Sequence, residues 1–493
     1  MCNPPGMLLQ SPDMSDNDTN NTAAQPDMDA VVAGKARLTP QQARWLYHHA
    51  PLPALGRWAS AVAQRIHGNR TRTYIIDRNI NYTNVCSAHC TFCAFRRDES
   101  DHDAYILTKQ QLHEKVRQLV DIGGTQVLLQ GGMHPGLPLG FYQQMLADLK
   151  HEFPTVHIHG FSPPEFVEFV AVTDMPGFPR TDPKKSHQLP PDVWQAKLKA
   201  IMKSLMDAGL DSIPGGGGEI FATAVRRRIG LGKATAQQWL TVMNTAHQLG
   251  MFTSATMMFG HIEGVADRID HIHRVRQWQD KAIAQNLPGR YISFIAWPFQ
   301  RENTPLGRVP EYDPQQHKHF PGDTLADLVY TGQVDPDDKL ACDAAVPDAG
   351  KLVRMAGASD YLRTQAIARL MLDNVHSIGA SWVTMGPKIG QLGLYFGAND
   401  MGSVMMEENV VSAAGTTYCL DEPVLCHLIR QAGFTPAQRD NRYNFLNIHD
   451  NDDAPDLKVA DWNHHRATRL HTQSDDHTPE PGRVALTIAD REA

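Results

Sequence analysis

The 493-residue sequence lacks the marks of membrane, secreted and nucleic-acid-binding proteins. It contains no run of about 18 apolar residues, so no transmembrane helix is predicted. Its N-terminal segment has no charged region followed by an apolar core, so no signal peptide is predicted. The formal net charge of -8 argues against partners such as nucleic acid or anionic lipid. These absences favour a soluble, cytoplasmic protein.

Cysteine is scarce, with seven residues in the chain, but three of them fall within eight positions. The segment Cys86-Ser-Ala-His-Cys90-Thr-Phe-Cys93 follows a β-like stretch. The other four cysteines are scattered, at Cys2, Cys342, Cys419 and Cys426. A disulfide framework would not place an odd cluster like this in a large cytoplasmic chain, so metal binding is the better interpretation.

Composition divides the chain into three parts. Residues 1–37 are polar and without periodicity, which predicts a disordered extension. Residues 38–450 alternate β-like and α-like segments, as parallel βα units do. Residues 451–493 turn polar again and are predicted to form a loosely held tail. Two stretches at about 172–192 and about 307–352 are too long for βα loops, and we interpret both as surface insertions.

The alternating segments predict an α/β fold, a TIM-like (β/α)8 barrel. A helix over residues 108–122 begins with the capping-box pair Thr108 and Gln111 and ends at Gly123. His157 and His159 alternate on the third strand and therefore share one face. The strand candidates number about eight, which is enough to close a barrel. They are Thr73–Ile80, 125–129, Thr155–Phe161, Leu210–Ile213, Phe252–Met258, Tyr291–Trp297, Ile378–Thr384 and a segment just before Gly397.

Two metal centres fit the cysteine cluster. Three thiolates at this spacing can bind three irons of a [4Fe-4S] cubane and leave the fourth iron without a protein ligand. Alternatively, His89 could supply a fourth ligand to a zinc ion, which usually takes four. The barrel places either centre at its reactive end, because the cysteine loop follows the first strand.

The C-x3-C-x2-C motif, with the aromatic Phe92 before its last cysteine, resembles the radical S-adenosylmethionine superfamily. The resemblance implies that Cys86, Cys90 and Cys93 hold a [4Fe-4S] cluster whose open iron binds S-adenosylmethionine. One electron, from a donor such as flavodoxin or ferredoxin, would then cleave the C5′–S bond and produce a 5′-deoxyadenosyl radical. It also implies that Phe92 packs near the adenine.

Two further turns at strand ends would complete the S-adenosylmethionine site. Gly131 and Gly132 follow the second strand, where the superfamily carries a Gly-Gly motif that contacts the amino group of S-adenosylmethionine. The next position is often Glu in the superfamily and is Met133 here, so this contact would rest on backbone groups. Ser162 and Glu165 follow the third strand and could bind the ribose or amino group. Glu165 could equally serve only to start a helix, where an acid suits the dipole.

Longer segments resemble one family within the superfamily, the cyclic dehypoxanthinylfutalosine synthases of menaquinone biosynthesis. Aminofutalosine synthases and the radical halves of deazaflavin (FO) synthase are near relatives and remain alternatives. The resemblance covers roughly residues 38–445, and one departure is Gly218 in place of the usual Ala. The segments that carry it are DRNINYTNVC (77–86), QGGMHP (130–135), FSPPE (161–165), DAGLDSIPGGGGEI (207–220), TAHQLGMFTSATMMFGHIE (245–263), FIAWPFQ (294–300), YLRTQAIARLMLDN (361–374), ASWVTMGPKIGQLGLYFGAND (380–400) and MMEENVVSAAG (405–415).

This resemblance implies an intramolecular reaction of dehypoxanthine futalosine. The deoxyadenosyl radical would abstract hydrogen from C4′ of the ribose, and the C4′ radical would close onto the benzoate ring. Loss of one electron and one proton would restore aromaticity. The remaining candidate residues are Asn399 and Asp400 for the ribose hydroxyls, Ser381 and Thr384 for the carboxylate, and His261 and Glu263 as proton acceptors.

Overall fold

The computed structural model of the protein describes residues 25–178 and 189–462. Among the described residues, three helices precede the first strand, and they are α1 Met28–Val32, α2 Pro40–His49 and α3 Leu52–His67. Asp27 caps α1 by accepting a hydrogen bond from the backbone of Ala30. Residues 1–37 were predicted to form a disordered extension, and its described part contains the helix α1. Residues 1–24 lie outside the described residues.

Strands and helices alternate through the first half of the remaining chain. Their bounds are β1 Thr71–Asn81, β2 His89–Cys90, α4 Lys109–Asp121, β3 Gln126–Gln130, α5 Leu139–Glu152, β4 His157–Gly160, α6 Pro163–Val172 and α7 Pro191–Asp207. Part of the first predicted insertion, residues 179–188, lies outside the described residues.

The alternation continues to the C-terminal part of the chain. The bounds there are α8 Thr223–Ile229, β5 Gly230–Leu231, α9 Ala236–Gln248, β6 Thr253–Phe259, α10 Val265–Ala284, β7 Tyr291–Pro298, α11 Pro321–Tyr330, α12 Lys339–Ala345, α13 Ala358–Met371, β8 Ser377–Gly379, α14 Trp382–Met385, α15 Pro387–Gly393, β9 Asp400–Met405, α16 Val410–Ala413, α17 Glu422–Gln431, β10 Thr435–Arg439 and β11 Phe445–Ile448. No helix within the described ranges is long and apolar enough to cross a membrane.

Seven parallel strands and one short segment form the barrel. The strands run in the order β4, β3, β1, β9, β8, β7, β6. The gap between β4 and β6 is filled by residues 212–213, because Ser212 bridges His159 and the N–H of Ser254 donates to the carbonyl of Ile213 at 3.4 Å. The TIM-like barrel predicted from the sequence is confirmed.

The last two predicted strands are misplaced. β8 ends at Gly379, and Trp382–Met385 is helical rather than extended. β9 begins after Gly397, not before it, because Pro387 starts a helix over the stretch read as a strand. Gly397 lies in the turn between them with a φ of 92°, a conformation that favours glycine.

The helix α4 shows how local sequence builds this fold. Thr108 and Gln111 form the predicted capping box, and Leu112, Val116 and Leu119 are buried. Burying each such side chain contributes about 1.5–3 kcal/mol. Val120, which the helical period places near this stripe, is 42% exposed instead.

The second insertion, about 307–352, contains two helices rather than only loops. α11 and α12 lie in it and enclose a small apolar cluster of Leu325, Cys342 and Val346. Ala224 of α8 joins this cluster, which fixes the insertion to the outside of the barrel.

A C-terminal hairpin that the sequence analysis did not predict lies against the amino end of β1. β10 pairs in parallel with residues 71–74, and β11 pairs antiparallel with β10. Arg439, at the end of β10, bonds Asp400 at the start of β9. Of the predicted tail, Leu457, Val459 and Trp462 pack on the core, and residues 463–493 lie outside the described residues.

Candidate functional site

The barrel interior holds a cavity of about 470 Å³ lined by both polar and apolar side chains. Alternate residues of β1 face it, from Ile75 and Asp77 to Asn79 and Asn81. The other strands add Gln126, Leu128, Gln130, His159, Ser254, Thr256, Ser293, Ile295, Trp297 and Ser403. Bulky branched side chains usually fill a (β/α)8 barrel, so the small and polar residues here leave room for a ligand.

The three clustered cysteines line the mouth of this cavity at the carboxyl end of β1. Backbone bonds hold their loop, since the Cys86 N–H donates to Arg97 O at 3.1 Å and the Met133 N–H donates to Cys86 Sγ at 3.3 Å. Burial raises the pKa of the Cys86 thiol and raises that of Cys90 to about 12. A bound metal centre would supply the positive charge that favours the thiolates.

The donor set fits a cluster better than a single ion. Within the described part of the chain, no three His, Cys, Asp or Glu side chains are grouped closely enough to hold one metal ion. The thiolates of a cubane each bind a different iron, so they need to surround a cluster rather than meet at a point. Cys86, Cys90 and Cys93 are all free thiols at the wall of one cavity, which suits this arrangement.

The glycine pair packs directly against the cysteine loop. A Cβ atom at Gly132 would lie 2.0 Å from the carbonyl oxygen of Val85, and one at Gly131 would lie 2.4 Å from the ring of Tyr82. The Gly132 N–H donates to Thr83 O at 3.0 Å. Both glycines line the cavity, so the close approach of the turn to the loop requires residues without a side chain.

Glu165 starts a helix and also lines the cavity. It forms a capping box with Ser162 at the start of α6, and both residues line the cavity. Its carboxyl oxygens accept hydrogen bonds from Tyr82 Oη at 2.5 Å, Gly131 N at 3.2 Å and Ser162 N at 2.6 Å. Burial raises the pKa of Glu165 to about 7, although these bonds oppose the rise. The carboxyl group therefore fixes the glycine turn.

Asn399 and Asp400 lie at the amino end of β9, the last strand of the barrel, and not after that strand as predicted. The side chain of Asn399 bonds the backbone of Ile378 and the hydroxyl of Ser377, so it joins strands. Asp400 lines the far end of the cavity, where Arg439 donates two hydrogen bonds to it, at 2.7 and 3.0 Å.

The other predicted substrate residues lie elsewhere. Ser381 and Thr384 hydrogen-bond each other at 2.7 Å near the start of α14. Neither is among the described residues that line the cavity.

The assignment of His261 and Glu263 as proton acceptors is not supported by their position. Both side chains are fully buried in the loop after β6, and neither belongs to the described lining of the cavity. Arg268 binds Glu263 at 2.7 Å. Burial alone would raise the pKa of Glu263, but the charges of His261 and Arg268 lower it well below its ordinary value. The group is a structural ion pair.

Two groups that the sequence analysis gave no role do line the site. Glu408 follows β9, and its carboxylate accepts hydrogen bonds from Asn79 Nδ2 at 3.0 Å and from two backbone N–H groups. Lys233 lies near Phe92, with its ammonium 4.9 Å from the ring centroid. Glu408 was visible within the MMEENVVSAAG segment, whereas Lys233 stands alone after Gly232 and carried no signal.

Comparison with known proteins identifies the family. A protein of Halalkalibacterium halodurans named cyclic dehypoxanthine futalosine synthase is 33% identical over 427 residues, which cover 87% of this chain and 96% of the relative. The family model described as Radical SAM superfamily matches residues 80–275. The chain belongs to the radical S-adenosylmethionine superfamily. This radical SAM enzyme therefore uses a [4Fe-4S] cluster and S-adenosylmethionine, and the zinc alternative falls away.

Further matches extend over the rest of the radical SAM enzyme. The model described as CofH/MqnC C-terminal region matches residues 346–452. A Streptomyces coelicolor protein, also named cyclic dehypoxanthine futalosine synthase, is 34% identical over 435 residues, 88% of this chain and 91% of the relative. A Methanopyrus kandleri protein named 5-amino-6-(D-ribitylamino)uracil–L-tyrosine 4-hydroxyphenyl transferase is 32% identical over 449 residues, 90% of this chain and 100% of the relative.

A solved structure shows the same fold. Methylornithine synthase (PylB) superposes with a TM-score of 0.53 at 18% identity, covering 83% of this chain and 97% of that one. At this identity the likeness concerns the barrel alone.

Proposed function

We propose that this radical SAM enzyme converts dehypoxanthine futalosine to cyclic dehypoxanthinylfutalosine in menaquinone biosynthesis. The observation that carries the proposal is the continuous cavity that begins at the cysteine loop and runs down the barrel. An intramolecular ring closure needs one substrate held in one such space. The names of two relatives at 33% and 34% identity support the same reaction.

In this proposal Cys86, Cys90 and Cys93 hold the cluster, and the turn at Gly131 and Gly132 meets S-adenosylmethionine. When bound, the cluster and S-adenosylmethionine would supply the radical chemistry needed to remove the C4′ hydrogen of the substrate ribose. The described residues of the cavity then act by holding the substrate in one conformation, because a radical must be kept close to its target and away from other hydrogens.

The cavity wall offers groups for both halves of this substrate. Asn81, Gln130 and Thr256 carry neutral amide or hydroxyl groups at the wall, which suit sugar hydroxyls. Ile295 and Trp297 provide apolar surface that suits a benzoate ring. Holding ribose and ring side by side in a space from which water is excluded favours closure over quenching of the radical.

Glu408 replaces His261 and Glu263 as the candidate for the final proton. It lies at the reactive end of the barrel, lines the cavity and is bonded there by Asn79. Burial raises the pKa of its carboxyl group, which increases its affinity for a proton.

The test is an anaerobic assay of the reconstituted protein with S-adenosylmethionine, a reductant and dehypoxanthine futalosine. We expect the cyclic product and 5′-deoxyadenosine in equal amounts, with deuterium passing from C4′ of labelled substrate into 5′-deoxyadenosine. Cys90→Ala is the matched control and should form neither compound. Formation of 5′-deoxyadenosine without the cyclic product would reject the cyclase and direct attention to the reactions named for the other relatives.

A further inference from the structure

A short strap pairs with the cysteine loop. β5 runs antiparallel to β2, with Cys90 opposite Gly230 and His89 opposite Leu231. The Thr91 N–H also donates to Ile229 O at 2.9 Å. Residues 229–233, which we call the strap, are therefore fixed directly to the loop that carries the cluster ligands.

The strap ends in a buried ammonium group beside that loop. Lys233 has a side chain only 14% exposed, and its Nζ atom lies 4.9 Å from the ring centroid of Phe92, the neighbour of Cys93. Glu219 binds Lys233 at 2.8 Å. Burial alone would lower the pKa of Lys233, but Glu219 and Cys90 raise it above its ordinary value, so the group stays protonated.

Lys233 belongs to a buried group of three charged side chains that carries a net positive charge. Glu219 has two cationic neighbours, Lys233 at 2.8 Å and Arg226 at 3.9 Å. All three side chains are less than 15% exposed, so water screens them poorly.

A buried positive charge favours the more negative of two redox states. Reduction of a [4Fe-4S] cluster adds one negative charge, and the potential of such clusters depends on nearby charge and solvent exposure. We propose that Lys233 raises the reduction potential of the cluster, with Glu219 holding the ammonium in place and partly offsetting it. Lys233 would act on the cluster electrostatically, without binding it.

The test is a redox titration of the reconstituted holoenzyme, followed by the electron paramagnetic resonance of the reduced cluster, without S-adenosylmethionine or substrate. Lys233→Met should move the midpoint potential to a more negative value, and Lys233→Arg should restore it. Glu219→Gln should move it the opposite way, to a more positive value. Lys115→Met removes a comparably buried ammonium, paired with Glu407 outside the described lining of the cavity, and should leave it unchanged.

Iron and sulfide analysis would show whether each variant binds its cluster. If one of Lys233→Met and Glu219→Gln does not, the potential of the other still tests the proposal, because each has its own predicted direction. Unchanged potentials, or shifts of the same sign in Lys233→Met and Glu219→Gln, would overturn it. Weaker S-adenosylmethionine binding by Lys233→Met at an unchanged potential would also overturn it, because the ammonium would then serve the cosubstrate. The titration contains no substrate, so its result is independent of the proposed cyclisation.

Discussion

At the scale of single residues, cysteine spacing is the most specific signal in this chain. Cys86, Cys90 and Cys93 meet at the mouth of one cavity, as their spacing predicts. A short stretch of sequence is enough to predict this ligand set, because a loop of eight residues can bring all three thiols to one cluster.

Replacing any one of the three with alanine should abolish cluster retention and S-adenosylmethionine cleavage. Two thiolates leave a second iron without a ligand, and the cluster is lost. Iron and sulfide per chain after anaerobic reconstitution measure this. Cys342→Ala and Cys426→Ala remove buried thiols that lie apart from the described cavity lining and should keep their iron. Comparable loss in either control would show that the ligands were wrongly chosen.

Residue type alone does not show where a side chain faces. His261 and Glu263 have the chemistry of proton acceptors, yet packing buries both, and Glu263 lies between His261 and Arg268. Arg354, which follows the second predicted insertion, contributes to this, because its backbone N–H donates to His261 O at 2.8 Å. Their orientation depends on segments far away in sequence, which a local pattern does not contain.

At the scale of elements, helices were easier to predict than the late strands. α4 begins at its predicted capping box, because both hydrogen bonds join residues three positions apart. β9 depends instead on pairing with β1, which lies more than 300 residues earlier. Local propensity therefore located the helix, while the strand was misplaced.

Thr108→Ala should lower the free energy of unfolding by about 1 kcal/mol, because the N–H of Gln111 loses its side-chain acceptor. Urea denaturation at neutral pH measures the change, and iron content should stay the same. Gln110→Ala, on the exposed face of the same helix, is the control and should change stability by less than about 0.5 kcal/mol. Equal effects of the two substitutions would mean that the cap contributes nothing.

At the scale of the whole molecule, the barrel buries several histidines in neutral form. Burial, with a smaller effect of Arg290, lowers the pKa of His247 to about 3, and burial likewise lowers that of His67 to about 3. His159 and His271 are shifted in the same direction. The unfolded chain therefore binds protons that the folded chain does not, and each such histidine reduces stability as the pH falls below about 6.5.

His247→Gln should weaken this acid sensitivity. Between pH 7.5 and pH 5, protonation of His247 in the unfolded state should reduce wild-type stability by about 2 kcal/mol relative to the variant. Taking the difference cancels the titration of all other groups. Urea denaturation of both proteins at several pH values measures it, with the exposed His102→Gln as control. Parallel stability curves for wild type and His247→Gln would contradict the buried neutral state.

The sequence by itself determined the barrel class, the cysteine triad and the glycine turn, because each rests on short-range patterns or on the order of strands. Tertiary structure alone decided which polar residues face the cavity, that Arg439 reaches Asp400 at its far end, and that the strap brings Lys233 to the cysteine loop. These arrangements join segments tens to hundreds of residues apart. Only the closed barrel brings such segments into contact, and no local pattern encodes that closure.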